Sequence, residues 1–372
     1  MSKDAICVIA LVLTIIMNEQ ETPRQGQMHA GNAGIEIAAV IESNPSEMQD
    51  STHETNAKLN PEQQFPISQP SVAAILHEYG IDEFTFRAAK SGVENVTLLV
   101  DSASRGEFAM RVYRQDKKST PEIAEEVEFS NYLKGHGIPV PEVFETTDGQ
   151  TVSETIADGK SWQSLLMEFK DGTHAEEYDD ALINQMAVMQ AKMHVLGIEF
   201  AEGRAKANVG QERLLPNARL SDLDPASMAD PRLGEFIQRA QAFEVSLDPS
   251  LPSGFSHFDF DRGNLLVADN TISAVLDFDD TKCGPLIMCL ANTLWNVMAT
   301  TGDEADLRLY VDKYQETRAL SGAELGSIQE IMLFRHYMVS GMRTGFGETD
   351  EASISGFIDL ENKILSLEAF SV

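Results

Sequence analysis

Two spacings of apolar residues divide this chain. Between Val96 and Tyr113 the period is two: Phe108, Met110 and Val112 alternate with Ala109, Arg111 and Tyr113. That alternation predicts strands over Val96–Val100 and Phe108–Tyr113, joined by a polar turn through Ser102 to Gly106, with Arg111 on the face opposite the apolar set. From Tyr178 onward the period lengthens to three or four. Leu182, Met186, Met189 and Met193 predict a helix over 178–196, and the same spacing recurs in 231–243, 286–298, 306–320, 328–342 and 354–367. The methionine stripe reads as adaptable core filler and His194 beside it as a packed histidine.

Shorter elements lie between these blocks. Val72, Ile75, Leu76 and Tyr79 predict a helix over 71–79 that Gly80 stops. Thr120-Pro121 opens a helix to Gly135, with Ile123, Val127, Phe129, Tyr132 and Leu133 as its apolar stripe and Glu126 on it. Phe144 and Val152 flank Asp148-Gly149, a hairpin signal. Leu165 to Phe169 reads as a strand closed by Lys170-Asp171-Gly172, where a β-rich lobe would hand over to a helical one. Residues 203–230 read as loop. Leu265–Val267 and Ile272–Leu276 are apolar runs around Asp269-Asn270 and predict a second hairpin. The fold class is therefore α+β, with a small β-rich lobe over 71–170 and a larger, mainly helical lobe over 171–372.

The first seventy residues stand apart. Ala5 to Met17 is apolar except for Thr14, too short for the roughly 20 residues of a membrane-spanning helix. Its length suits a signal-peptide core, but Lys3 is offset by Asp4 and no small-residue cleavage site follows closely. A membrane-surface anchor and an overextended start, with Met17 or Met28 as the true one, are the other readings. From Asn18 to about Pro70 the chain is polar and poor in aromatics, the composition of a disordered tail.

Charge narrows the partners. Among 372 residues, 28 Lys and Arg face 59 Asp and Glu, a formal net charge of −31. Nucleic acid is thereby excluded as a partner. The acidic balance serves solubility and favours a cationic small-molecule acceptor over an anionic one. Cys7, Cys283 and Cys289 are an odd, unpaired set that points to a reducing, cytoplasmic setting rather than a disulfide framework or zinc site.

The candidate chemistry gathers between Ser256 and Asp280. His257, Asp259 and Asn264 fall in an H-x-D-x-x-x-x-N spacing, and Asp277 follows the second strand of the predicted hairpin. Phosphoryl transfer needs a carboxylate facing the incoming hydroxyl and hard oxygen ligands for magnesium. Asp259 can serve as the first, Asn264 and Asp277 as the second. A hairpin with these two at its outer ends makes neighbours of residues thirteen apart in sequence. Arg111 on a strand and Glu126 on the next helix match the ion pair that orients a basic residue toward phosphate. Gly159-Lys160-Ser161 looks like the end of a phosphate-binding loop, but that motif needs glycine at 154, where the chain has Glu154.

On these residues, from Phe84 to the C-terminus, the chain resembles the aminoglycoside phosphotransferase and choline kinase-like family of small-molecule kinases. The most specific part is His257-Phe-Asp259 through Asn264, with Leu276-Asp-Phe-Asp-Asp280 and Gly284-Pro285. Glu94-Asn95, Arg111, Glu126 and Gly137-Ile-Pro-Val-Pro141 support it. The resemblance implies a protein-kinase-like fold, ATP and Mg2+ as cofactors, and transfer of the γ-phosphate to a hydroxyl. It makes Asp259 the base, His257 the brace of its loop, and Asn264 and Asp277 the metal ligands. Arg111, paired to Glu126, would contact phosphate, and Asn95 and Glu168 would lie at the nucleotide, with the Met167–Phe169 link holding it. Three residues depart from the pattern: Arg111 stands for the usual lysine, Cys289 for a supporting aspartate, and Asp261 for a histidine. Aminoglycosides and amino alcohols are the favoured acceptors, with homoserine-like compounds and sugars open. Alternatives on the same residues are a protein Ser/Thr kinase, disfavoured by the short loop at Gly92–Asn95 and the lack of an Ala-Pro-Glu signature, and a pseudokinase serving as an interaction module.

Overall fold

The structure is a computed structural model that describes residues 67–89, 95–114, 118–202, 204 and 218–370. The expectations for residues 1–66, and for Gly92 and Glu94, lie outside that set. Among the described residues no helix is long and apolar enough to cross a membrane.

The architecture is α+β, with an antiparallel sheet ahead of a larger helical body. Helix α1 (Gln69–Glu78) buries Val72, Ile75 and Leu76 and stops at Gly80, whose φ is +68°. Strands β1 (Thr85–Ala88), β2 (Val96–Ser102), β3 (Gly106–Val112), β4 (Val143–Phe144), β5 (Ser153–Ala157) and β6 (Lys160–Glu168) form one sheet in the order β1-β2-β3-β6-β4, with β5 also on β6. In the β2–β3 ladder Leu98 faces Met110 and Val100 faces Phe108. These side chains fill a core with α1, which sets Arg111 on the opposite face, toward the helical body.

One predicted hairpin is corrected. Asp148-Gly149 does turn, with the Thr146 amide donating to Gln150 O at 2.8 Å. Yet β4 and β5 lie end to end along β6, Phe144 opposite Leu166 and Ser153 opposite Ser164. The hairpin here is β5–β6, turned at Asp158-Gly159 with φ of +53° and +73°. Two consecutive positive-φ residues give the twist that paired strands need, and a lone glycine at 149 does not. Strand β6 accordingly begins at Lys160, well before Leu165.

Helix α2 (Thr120–Gly135) starts one residue earlier than its Thr-Pro signal suggests, because Ser119 is the cap and its N–H donates to Glu122 at 2.7 Å. Its first turns pack Ile123 and Val127 against Tyr113 and Leu165 of the sheet side. Further along, Phe129 and Leu133 enter the helical core. One helix thus fastens the sheet to the body.

The second half holds α3 (Asp180–Ala201), α4 (Ala218–Asp222), α5 (Pro231–Ala242), β7 (Ser253–Ser256), β8 (Leu265–Ala268), β9 (Thr271–Val275), β10 (Lys282–Pro285), α6 (Leu286–Thr301), α7 (Glu304–Gln315), α8 (Gly322–Gly345) and α9 (Glu351–Leu365). The β8–β9 hairpin turns at Asp269-Asn270, both at positive φ, as their residue types require. A second pair, β7 with β10, has no apolar alternation to announce it, since Gly254 faces Gly284 and Pro285 ends it. Tertiary packing makes it: α3 presses on β7 so closely that a Cβ on Gly197 would sit 1.9 Å from Phe255 O.

Candidate active site

The loop between β7 and β8 carries His257, Asp259 and Asn264. His257 is fully buried, its Nε2 2.7 Å from Leu276 O, while its Nδ1 accepts the Asp259 amide at 3.3 Å. Those partners call for the neutral tautomer with the proton on Nε2. The ring braces the loop against the end of β9. Asn264 donates its side-chain amide to Asp259 Oδ2 at 3.0 Å and to Asp259 O at 2.8 Å. The Leu276 amide donates to Asn264 O at 2.8 Å, so the hairpin does bring Asn264 against the strand end that bears Asp277.

Phe258 sits at φ +60°, a costly conformation for an aromatic residue that its surroundings must impose. Helix α6 imposes it. Asn292 donates to Phe258 O at 3.2 Å, and Thr293 Oγ1 donates to Phe260 O at 2.8 Å while accepting Gln190 of α3 at 2.8 Å. Cys289, one turn before Thr293, is buried, and burial pushes its thiol up while hydrogen bonds from Ser256, Gln190 and the Phe258 amide pull the other way. Cys289 Sγ accepts Gln190 Nε2 at 3.4 Å, while Asn292 and Thr293 hold the loop carbonyls beside it.

Across the cleft, Arg111 Nη2 reaches Asp277 Oδ1 at 2.9 Å and Asp279 Oδ2 at 2.5 Å. Asp277 adopts φ +61°. Burial pulls its carboxyl upward, but the Arg111 guanidinium outweighs that and holds it below the ordinary range. Asp279 goes the other way, to about 7, because burial is joined by Glu126 and Asp277, which together exceed what Arg111 and Lys118 supply.

The expected Arg111–Glu126 pair is not formed. Glu126 accepts Tyr113 OH at 2.9 Å and Lys118 Nζ at 2.8 Å, and Lys118 also donates to Asp279 O. Arg111 has two carboxylates of its own, which leaves Lys118 as the cation on the helix glutamate. Asn95 donates to Asp279 and accepts the Arg114 amide at 3.0 Å, so it ties the start of β2 to the cleft. Glu168 lies apart from this cluster: its carboxylate takes Lys170 at 2.7 Å and the Glu142 amide at 3.1 Å, which anchors the link between lobes. Of the residues singled out in the sequence, His257, Asp259, Asn264, Asp277 and Arg111 come together, and Asn95 and Glu126 join through Asp279 and Lys118.

Lys118, Asn292, Thr293 and Gln190 escaped sequence reading. Thr293 had one usable signal, four residues after Cys289 on the same helix face. Lys118 had none, since a lysine before a helix is ordinarily solvated.

A sequence model described as the phosphotransferase enzyme family matches residues 85–323. The chain belongs to that family. Its enzymes are kinases, and this phosphotransferase is a small-molecule kinase by that membership. It is 27% identical over 216 residues to a protein named homoserine kinase from Granulibacter bethesdensis, covering 57% of this chain and 65% of that protein, just under two thirds of its length. In fold it is similar to an amicoumacin kinase solved with AMP-PNP and Ca2+ (TM-score 0.58, 17% identity, 82% of this chain and 94% of that one). It is similar likewise to a microcompartment-associated aminopropanol kinase (TM-score 0.58, 19% identity, 79% and 94%). The phosphotransferase thus has the two-lobed protein-kinase-like fold.

Proposed function

We propose that this phosphotransferase moves the γ-phosphate of ATP, with Mg2+, to a hydroxyl of a small molecule. The observation that carries the proposal is the meeting of Asp259, Asn264, Asp277 and Arg111 in one cleft, through contacts of 2.9 Å and 3.0 Å from residues spread over 166 sequence positions. In this reading residues 71–170 form the nucleotide side and 171–372 the catalytic and acceptor side. The relative named homoserine kinase supports a small hydroxyl-bearing acceptor.

The residues present fit a magnesium ion. Asn264 uses its N–H on Asp259, which leaves Oδ1 as a hard oxygen donor, and the Asp277 side chain is 41% exposed with one oxygen on Arg111. Beside them Asp279 Oδ1, 3.9 Å from Lys118 Nζ, and Arg111 Nε are buried with no hydrogen-bond partner among the described residues. No group of three or more His, Cys, Asp or Glu among the described residues could hold a metal alone, and magnesium characteristically takes one or two protein ligands with phosphates and waters. Asn264 and Asp277 would hold it. Bound there, it would neutralise charge on the phosphates.

The chain's own residues supply the rest. Asp259 takes the proton from the acceptor hydroxyl; Asn264 holds its carboxylate and the His257 contact holds its backbone amide. Arg111 and Lys118 present positive charge to the phosphates, with Glu126 and Asn95 fixing the two carboxylate-bearing sides of that cluster. Backbone groups of the Met167–Phe169 link face the nucleotide, and Glu168 keeps that link taut.

Magnesium- and ATP-dependent phosphorylation of a panel of amino alcohols, aminoglycosides, sugars and hydroxy amino acids tests the reading. Asp259→Ala is expected to lose transfer by about a thousandfold, in line with removal of a general base, while nucleotide binding stays within a few fold. Wild-type turnover in that variant would overturn the assignment.

A further inference from the structure

On the side of Asp259 away from Arg111 stands a cation with little to hold. Arg335 of α8 reaches Asp259 Oδ1 only at 3.5 Å, too long for a good charge-assisted bond, and its Nε is buried without a hydrogen-bond partner. Its guanidinium lies over the ring of Trp295 on α6, 5.8 Å from the centroid. Trp295 is only 9% exposed, and its indole N–H is likewise buried without a partner. A second cation, Lys282, stands 4.6 Å over the Phe258 ring and has no ion pair among the described residues. Burial lowers its pKa, Asp280 pulls it back up, and the charge on Arg335 lowers it.

Two orphaned N–H donors beside a proposed base need an explanation. The 3.5 Å contact leaves the guanidinium free to take a better acceptor. An anion on the acceptor answers each point: it would accept from Arg335 and from the Trp295 indole and draw the guanidinium off the base. We infer that the acceptor carries a carboxylate as well as a hydroxyl, and that Arg335 with Trp295 is the subsite that reads it. This rests on the phosphotransfer reading above. It also separates the local charge of the acceptor subsite from the acidic net charge, which favours a cationic acceptor only at long range.

A site built to bond a polar group rejects an analogue without it far more strongly than a pocket that senses size. The test therefore uses acceptor pairs that differ only in the carboxylate: L-homoserine against the amino alcohol left by its decarboxylation, and L-serine against ethanolamine, with phosphorylation followed under magnesium and ATP. The expected result is a preference of about a hundredfold or more in kcat/KM for one carboxylate-bearing member over its counterpart. Arg335→Met, which keeps packing on Trp295, should collapse that preference toward one by raising the acceptor KM, with the KM for ATP unchanged. Arg335→Lys should recover part of it. Equal use of both members, preference for the amino alcohols, or stimulation by neither member of either pair while ATP is still hydrolysed overturns the inference and leaves phosphotransfer standing. An Arg335→Met defect confined to kcat and the KM for ATP overturns it too, and assigns the cation to phosphate instead. Absence of any magnesium-dependent ATP turnover, with water or any acceptor, overturns the phosphotransfer reading and the inference with it.

Discussion

The two walls of the cleft are held by different forces. The loop that carries Asp259 rests on neutral, buried contacts: His257 on Leu276 O, Thr293 on Phe260 O, Asn292 on Phe258 O, and α3 pressed backbone to backbone on β7 through Gly197. The opposite wall is held by charges, with Arg111 on Asp277 and Asp279, and Lys118 on Glu126 and Asp279. Neutral buried bonds have no competitor in solvent and fix a geometry. Ion pairs between side chains can be exchanged for phosphate oxygens, which present the same charge in the same fork geometry. Asp259, the proposed base, is thereby held still while Arg111 and Lys118 stay available.

Steric change in the fixed wall should do the most damage. Gly197→Ala places a Cβ 1.9 Å from the Phe255 carbonyl, and neither backbone can retreat without moving the loop. A loss of roughly 4 kcal/mol or more, or failure to fold, is expected from overpacking of this kind. Thermal melting reads it, and a stable, fully active variant would contradict the close-approach account.

Next comes the pH response of α8, which backs the same wall. Burial lowers the pKa of His336 to about 4, and its Nε2 lies 2.9 Å from Phe357 O. The unfolded chain takes up this proton near the ordinary 6.5 and the folded chain does not, so stability falls as pH drops from 6.5 toward 4. The full contribution is on the order of 3 kcal/mol, since each tenfold weakening of proton affinity is worth about 1.4 kcal/mol. Melting temperatures across that window should decline more shallowly for His336→Phe than for the wild type; parallel curves would remove His336 from the acid response.

Thr293→Val keeps the shape of the side chain but strands Phe260 O and leaves the Gln190 amide only its 3.4 Å contacts to Cys289, at about 2 kcal/mol. If Thr293 positions the loop, kcat should fall while the KM for ATP holds. A loss confined to stability would make it merely structural.

The charged wall should respond most mildly. Lys118→Met leaves Glu126 its bond from Tyr113, so the expected loss is about tenfold in nucleotide affinity, or ~1.4 kcal/mol, with melting nearly unchanged. Nucleotide titration measures it. A large drop in melting temperature instead would show the two walls to be held alike.

The residues of the fixed wall were easier to read in advance than those of the charged one. Asn264 and Asp277 flank one hairpin whose turn Asp269-Asn270 announced by residue type, and Asp259 lies on the loop that leads into it, so local chemistry brought them together. The charged wall joins side chains from β2, β3, the approach to α2 and the turn after β9, and no local spacing says which cation meets which carboxylate. Arg111 and Glu126 looked like a pair because a basic strand residue followed by a helix glutamate matches the kinase ion pair, and the fold supplied other partners.

By itself the sequence determined the strand and helix periods, the β8–β9 hairpin and the set of groups proposed to carry phosphotransfer, because these depend on backbone preferences and on side-chain chemistry within a few residues. Only the tertiary structure decided that Lys118 meets Glu126, that Thr293 and Asn292 hold the Phe260 and Phe258 carbonyls, and that Arg335 and Trp295 bring orphaned donors beside Asp259. Those pairings depend on how elements distant in sequence pack, and packing selects among partners that local spacing leaves equivalent.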